Sequence, residues 1–173
     1  MINFNYGVTM LARQFYDDNI NKVPVNLDNI CYIFGWELRQ DDLCGEDGYV
    51  FILDESKKVY IFYDNSRDFM LTRRYRFTIS HEIGHLILGH YELDQSILSD
   101  DDLLLLEREA NIFAAEILMP YSELKSLECY DIKFLANQFK VSKDAMETRL
   151  DCLGLKKKQK IDYNIQFSHN IVF

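Results

Sequence analysis

The hydrophobic pattern has two dense stretches. Phe77, Ile79, Ile83, Leu86, Ile87 and Leu88 make the segment that follows Arg76 apolar almost all round, which predicts a buried helix ending near Gly89. In the second, residues 103–119, the positions Leu103, Glu107, Ala110, Asn111, Ala114 and Leu118 fall on one helical stripe that is apolar except for Glu107 and Asn111. Asp100, Asp101 and Asp102 supply a cap and favourable charge at its start, and Pro120 stops it. Tyr91 to Asp102 is a polar, acidic connection between the two.

The remaining pattern predicts smaller elements. A first helix covers residues 4–18, with Tyr6, Met10 and Leu11 on its apolar stripe and Phe15 beside it. Leu27, Ile30, Cys31 and Phe34 make a short second helix closed by Gly35, and a strand begins at Trp36 to Arg39. Residues 49–53 and 59–63 read as a hairpin, followed by a turn at Asn65 to Asp68. After Pro120 come a short helix to Leu127 and two further helices, residues 132–139 and 142–150, around a tight Lys140-Val141-Ser142 turn with Ser142 as N-cap. The fold class is α+β: mostly helical, with a sheet of about three strands beside the helix that holds residues 77–88, and a helical C-terminal segment. Residues 1–127 form the core, 128–155 a helix-turn-helix-like pair packed on it, and 156–173 a basic tail with strand-like alternation.

Length and charge narrow the classes. A chain of 173 residues with 48% hydrophobic content buries a core without disulfides. The four cysteines, Cys31, Cys44, Cys129 and Cys152, form no C-x-x-C pair and read as buried thiols. With no signal segment and no bilayer-length apolar run, the expected location is the cytoplasm, with no membrane partner. A net charge of −9 disfavours nucleic acid as a direct partner. The second of the C-terminal helices sets Lys143 and Arg149 against Asp144 and Glu147, too little excess positive charge for phosphate contacts.

Candidate chemistry lies in the two dense stretches. His81 and His85 are four residues apart, so on a helix two imidazoles reach one metal ion from one face. Glu82, rotated by about a hundred degrees, suits a general base beside the metal. Gly84 costs about 1 kcal/mol relative to Ala within a helix and implies a close-crossing neighbour. His90, beyond Gly89, reads as a surface histidine or one that supports a ligand from behind. A catalytic site needs a third protein ligand. Glu107, on the apolar stripe, is chosen over Glu109, the fallback, and Glu116; Asn111, one turn on, is placed to fix a ligating imidazole. The donor set suits Zn2+ best and also accommodates manganese or iron.

The run Arg76-Phe77-Thr78 before His-Glu-Ile-Gly-His, followed by Glu107-x-x-Ala110-Asn111-x-Phe113-Ala114-Ala115 and Leu118-Met119-Pro120, resembles the ImmA/IrrE family of metallopeptidases. The resemblance, which extends loosely over residues 1–155, implies a zincin-like domain. In it His81, His85 and Glu107 hold zinc and Glu82 is the catalytic acid/base. It also implies a zinc endopeptidase of narrow specificity whose substrate is a regulatory protein, a helix-turn-helix transcriptional repressor. A strand beside the active-site helix would then pair with substrate backbone. The alternative is a non-catalytic zinc-containing partner, an antitoxin-like or repressor-sequestering module; the intact Glu82 argues against it, since a structural zinc site needs no base.

Overall fold

The computed structural model describes residues 4–53, 55–64, 66, 73–127 and 131–155. Cys129, the turn positions Asn65, Arg67 and Asp68, and the tail 156–173 lie outside the described residues. Helices α1 (Phe4–Asn19) and α2 (Leu27–Phe34) precede three strands, β1 (Glu37–Asp41), β2 (Gly48–Leu53) and β3 (Lys58–Asp64). Helix α3 (Arg74–Ile87) follows, then 3-10 turns at His90–Glu92 and Gln95–Ile97, and α4 (Asp100–Leu118). Helices α5 (Tyr121–Ser126), α6 (Ile132–Phe139) and α7 (Lys143–Cys152) close the described chain. The architecture is the mostly helical α+β one that the pattern predicts.

The sheet has the order β1-β3-β2. β2 and β3 form the antiparallel hairpin, Gly48 opposite Tyr63 and Leu53 opposite Lys58, while β1 runs parallel to β3 with Glu37 opposite Tyr60. Among the described residues β2 is therefore an edge strand, and its first residue presses on α3. A Cβ on Gly48 would meet Thr78 Cγ2 at 2.5 Å and the Phe62 carbonyl oxygen at 2.7 Å, so only glycine fits there.

The core forms where α3 and α4 cross and α1 lies along α4. Ile79 and Ile83 of α3 meet Phe113, Ile117 and Leu118 of α4. The buried face of α1 is Val8, Ala12, Phe15 and Tyr16, not the expected Tyr6, Met10 and Leu11, which are exposed. Close packing explains the change: Ala12 is fully buried, and Phe15 tilts on Phe113 with ring centroids 5.4 Å apart. Two other expectations are corrected. Ser99, rather than the aspartates alone, caps α4: its hydroxyl accepts from the Asp102 backbone N–H, and the Asp102 carboxylate accepts from that of Ser99. Of the thiols, only Cys31 is buried among the described residues, where burial raises its pKa to about 12; Cys44 and Cys152 are exposed.

Helices α6 and α7 bury Leu135, Phe139, Met146 and Leu150. Ser142 caps α7, its hydroxyl accepting from the Ala145 N–H at 3.1 Å. Two arginines bind this pair to the rest. Arg73, just before α3, donates to the Ala136 carbonyl at 2.9 Å and to Asn137 Oδ1 at 3.1 Å, satisfying groups in the last turn of α6. Arg149 of α7 donates Nε–H to the Met119 carbonyl at 3.0 Å and forms a buried ion pair with Glu116 of α4. Glu116 also accepts from Arg13 Nε of α1 at 3.0 Å and from the Tyr121 N–H at 3.1 Å. This buried carboxylate ties α1, α4, α5 and α7 together.

Removing one member of such a pair strands the other in a poor solvent for charge. Arg149→Met is therefore expected to cost about 3–5 kcal/mol by urea denaturation, and adding Glu116→Leu to it costs less than Glu116→Leu alone. Additive changes would contradict the pairing.

Candidate metal centre

The crossing of α3 and α4 is close because Gly84 presents no side chain. A Cβ there would lie 3.2 Å from the Ala110 carbonyl oxygen and 3.3 Å from both Ala110 Cα and Phe113 Cβ. On either side of this contact the two helices offer matched positions, His81 and His85 on α3, Glu107 and Asn111 on α4, at the same one-turn spacing.

The structure brings those four side chains together. His81 Nε2 and His85 Nε2 are 3.0 Å apart. The Glu107 carboxylate reaches both, Oε2 to His81 Nε2 at 3.2 Å and Oε1 to His85 Nε2 at 3.3 Å. The outward ring atoms are fixed from behind. Asn111 Oδ1 lies 3.1 Å from His81 Nδ1, and since a carbonyl oxygen can only accept, Nδ1 carries the proton and Nε2 a lone pair. His85 Nδ1 lies 3.0 Å from His90 Nδ1, and His90 Nε2 lies 3.3 Å from Glu109 Oε2. The Glu109 carboxylate accepts from His90 Nε2–H, which leaves His90 Nδ1 to accept from His85 Nδ1–H. His85 Nε2 is then also a bare lone pair.

The site thus converges two imidazole lone pairs and a carboxylate with no hydrogen among them. Burial, with His81 and His90 beside it, lowers the His85 pKa to about 4, so His85 stays neutral near pH 7. Two histidine nitrogens and one carboxylate so close together could hold a divalent cation and leave a further position for a non-protein ligand. The residues fit a metal ion, with His81, His85 and Glu107 to hold it and Asn111, His90 and Glu109 to orient the rings.

Glu82 sits in the same cleft, buried, its Oε2 accepting from the Tyr91 hydroxyl at 2.7 Å. Burial raises its pKa, while the Tyr91 hydrogen bond and nearby His81 lower it, so the carboxylate is desolvated yet anchored. The Tyr91 hydroxyl is in turn held protonated by burial and the adjacent carboxylate. The cleft, about 460 Å³, is walled on its other side by Gly48 and Tyr49 at the start of β2.

Sequence reasoning missed Tyr91 and the supporting role of Glu109. Glu109, passed over as a ligand in favour of Glu107, is largely covered and meets His90, which is buried. The available signal was Gly89. Its left-handed backbone, φ 74°, ends α3 and turns His90 and Tyr91 back over His85 and Glu82.

A mostly helical domain with a histidine pair on one helix, a carboxylate on the next and a glutamate beside them has the arrangement of a metallopeptidase. The family profile described as Peptidase_M78, the IrrE N-terminal-like domain, matches residues 41–151, and the chain belongs to this family. Helices α1 and α2 precede the matched span. In fold the chain is similar to a Mycobacterium tuberculosis transcriptional regulator, with a TM-score of 0.62 over 84% of this chain at 18% identity; it spans 46% of that regulator's length. No curated protein sequence matches it. Among the described residues no helix is long and apolar enough to cross a membrane.

Replacing His81, His85 or Glu107 by Ala is expected to abolish stoichiometric zinc uptake. Glu109→Gln and His90→Phe are expected to keep one zinc per chain but weaken it by about 10–100-fold in competition with a chromophoric chelator. Normal zinc in the Glu107 variant would move the ligand elsewhere.

Proposed function

We propose that the chain is a zinc-dependent endopeptidase of narrow specificity, acting in the cytoplasm on a regulatory protein, with a helix-turn-helix transcriptional repressor as the substrate class. The observation that carries the reading is Glu82. Its carboxylate is kept, buried and hydrogen-bonded by Tyr91, in the cleft where the Nε2 atoms of His81 and His85 and the carboxylate of Glu107 converge. A closed structural site has no use for such a group. The fold likeness to a transcriptional regulator accords with a place in transcriptional control.

Bound zinc would supply Lewis acidity, polarising the scissile carbonyl and making water a stronger acid. The rest is work for this chain's side chains. Glu82 accepts a proton from the attacking water and delivers it to the departing amine, so that the C–N bond breaks with a neutral leaving group. Tyr91 holds one oxygen of that carboxylate and leaves the other to face the water. Edge strand β2, whose first residues line the cleft, pairs with substrate backbone by strand addition and sets its direction across Glu82.

The test is co-expression of wild type or Glu82→Gln with helix-turn-helix repressors, followed by intact mass of each repressor. A single cut by wild type alone, with zinc retained in the variant, is the expected result. A repressor that stays whole but co-purifies equally with both makes the chain a binding module. With a cleavable substrate, Tyr91→Phe should move the acid limb of the kcat/KM profile to higher pH. The hydrogen bond lowers the Glu82 pKa, so its loss raises the pH at which the base becomes ionised.

A further inference from the structure

A concavity of about 590 Å³ lies between the start of α3 and the α6–α7 pair. Four basic side chains line it, Arg73 and Arg74 from the α3 side, Lys133 from α6 and Lys143 from α7, against one carboxylate, that of Asp144. This balance runs against the chain, which carries 28 acidic and 19 basic residues. The concavity opens past Arg73, Arg74, Val141 and Ser142 into a groove that also carries Arg108, and the groove reaches the metal cleft across Asp47, Phe77 and Thr78. One surface therefore leads from the metal donors to the basic pocket.

The fold itself uses only part of this charge. Arg73 donates from both terminal nitrogens to neutral acceptors, the Ala136 carbonyl and Asn137 Oδ1, so its position is fixed while its charge is not neutralised. Arg74 is exposed and meets Asp47 at 2.7 Å, a pairing that contributes little to stability in water. Lys133 and Lys143 are exposed and form no ion pair among the described residues. Cations gathered round a concavity raise its potential and favour a negative occupant. The arrangement also discriminates among anions. A phosphate is gripped best by a guanidinium fork, and here Arg73 is committed to α6 and Arg74 is turned to Asp47. The remaining charges are two lysine ammoniums on different helices, point charges that suit separate carboxylates. A nucleic-acid strand running on along α7 would meet Glu147 and Asp151, one and two turns beyond Lys143 and both exposed. A short peptide with spaced Asp or Glu side chains avoids both difficulties.

We infer that this pocket is a docking site for an acidic segment of the protein substrate, seating two or more Asp or Glu side chains at a distance from the scissile bond. The inference rests on the peptidase reading for the identity of the partner, and its test requires no cleavage. The C-terminal helices thereby select a substrate by charge outside the metal cleft.

The test uses the full-length Glu82→Gln chain loaded with zinc and fluorescein-labelled peptides of Gly, Ser and Ala that carry either Asp or Asn at the same alternate positions, read by anisotropy at low ionic strength. The Asp peptide should bind at least about tenfold tighter than the Asn peptide, and the gap should narrow as salt is raised. Lys133→Glu with Lys143→Glu should erase the gap with zinc content unchanged. Lys22→Glu with Lys57→Glu, which alters net charge equally at exposed positions outside the pocket, should leave it. Equal binding of the two peptides, no binding by either, or a gap lost equally in both double variants would overturn the site. Displacement of the Asp peptide by inorganic phosphate beyond the effect of chloride at equal ionic strength, or tighter binding of a single-stranded oligonucleotide of equal charge through the same lysines, would overturn the peptide as its occupant. Repressor cleavage by wild type without an acidic preference would remove the docking site alone. An acidic preference in a chain that cuts no repressor would leave the site standing and remove the peptidase reading.

Discussion

The site depends on the close approach of α3 and α4 at Gly84. With any side chain there, the Ala110 backbone and Phe113 would have to retreat from contacts already at 3.2–3.3 Å, in a crossing packed on all sides by Ile79, Ile83, Phe113 and Ile117. The candidate metal donors His81, His85 and Glu107 flank this contact directly. A shift of the helices by a fraction of an ångström would separate Glu107 from the two imidazoles. The conformational cost of a helical glycine is thus offset where two one-turn-spaced donor pairs must meet.

Around that contact, polar groups are placed so that each has one use. The Asn111 Oδ1 that faces His81 accepts from its Nδ1–H, and the Glu109–His90 link orients the His85 Nδ1–H outward, so both Nε2 lone pairs point the same way. Glu116, about two and a half turns from Glu107 along the helix, is spent differently: buried with Arg149 and Arg13, it fixes α7 and α1 against α4. One helix therefore carries a candidate metal donor near its middle and a structural anchor toward its buried C-terminal end.

Much of this arrangement follows from helical periodicity and was legible for that reason. His81, Glu82 and His85 need only the 3.6-residue repeat, and Glu107 and Asn111 separate from Glu109 and Glu116 by the same rule. The hairpin, the Gly35 stop and the Ser142 cap are equally local. What stayed hidden depends on chain reversals and packing partners. Tyr91 and His90 reach Glu82 and His85 only through the left-handed turn at Gly89, and the buried face of α1 is chosen by the fit of Ala12 and Phe15 against α4 rather than by its own largest apolar residues. The sequence weighed Arg149 only as one charge on a near-neutral helix face, whereas α7 turns it inward to Glu116.

The central claim is an open metal site built from two histidines and one glutamate, and X-ray absorption at the zinc edge of the zinc-loaded chain tests it most directly. The account predicts a shell of two imidazole nitrogens and carboxylate oxygen with one exchangeable non-protein ligand and no sulfur. A sulfur contribution, or four protein ligands that leave no exchangeable position, would contradict it.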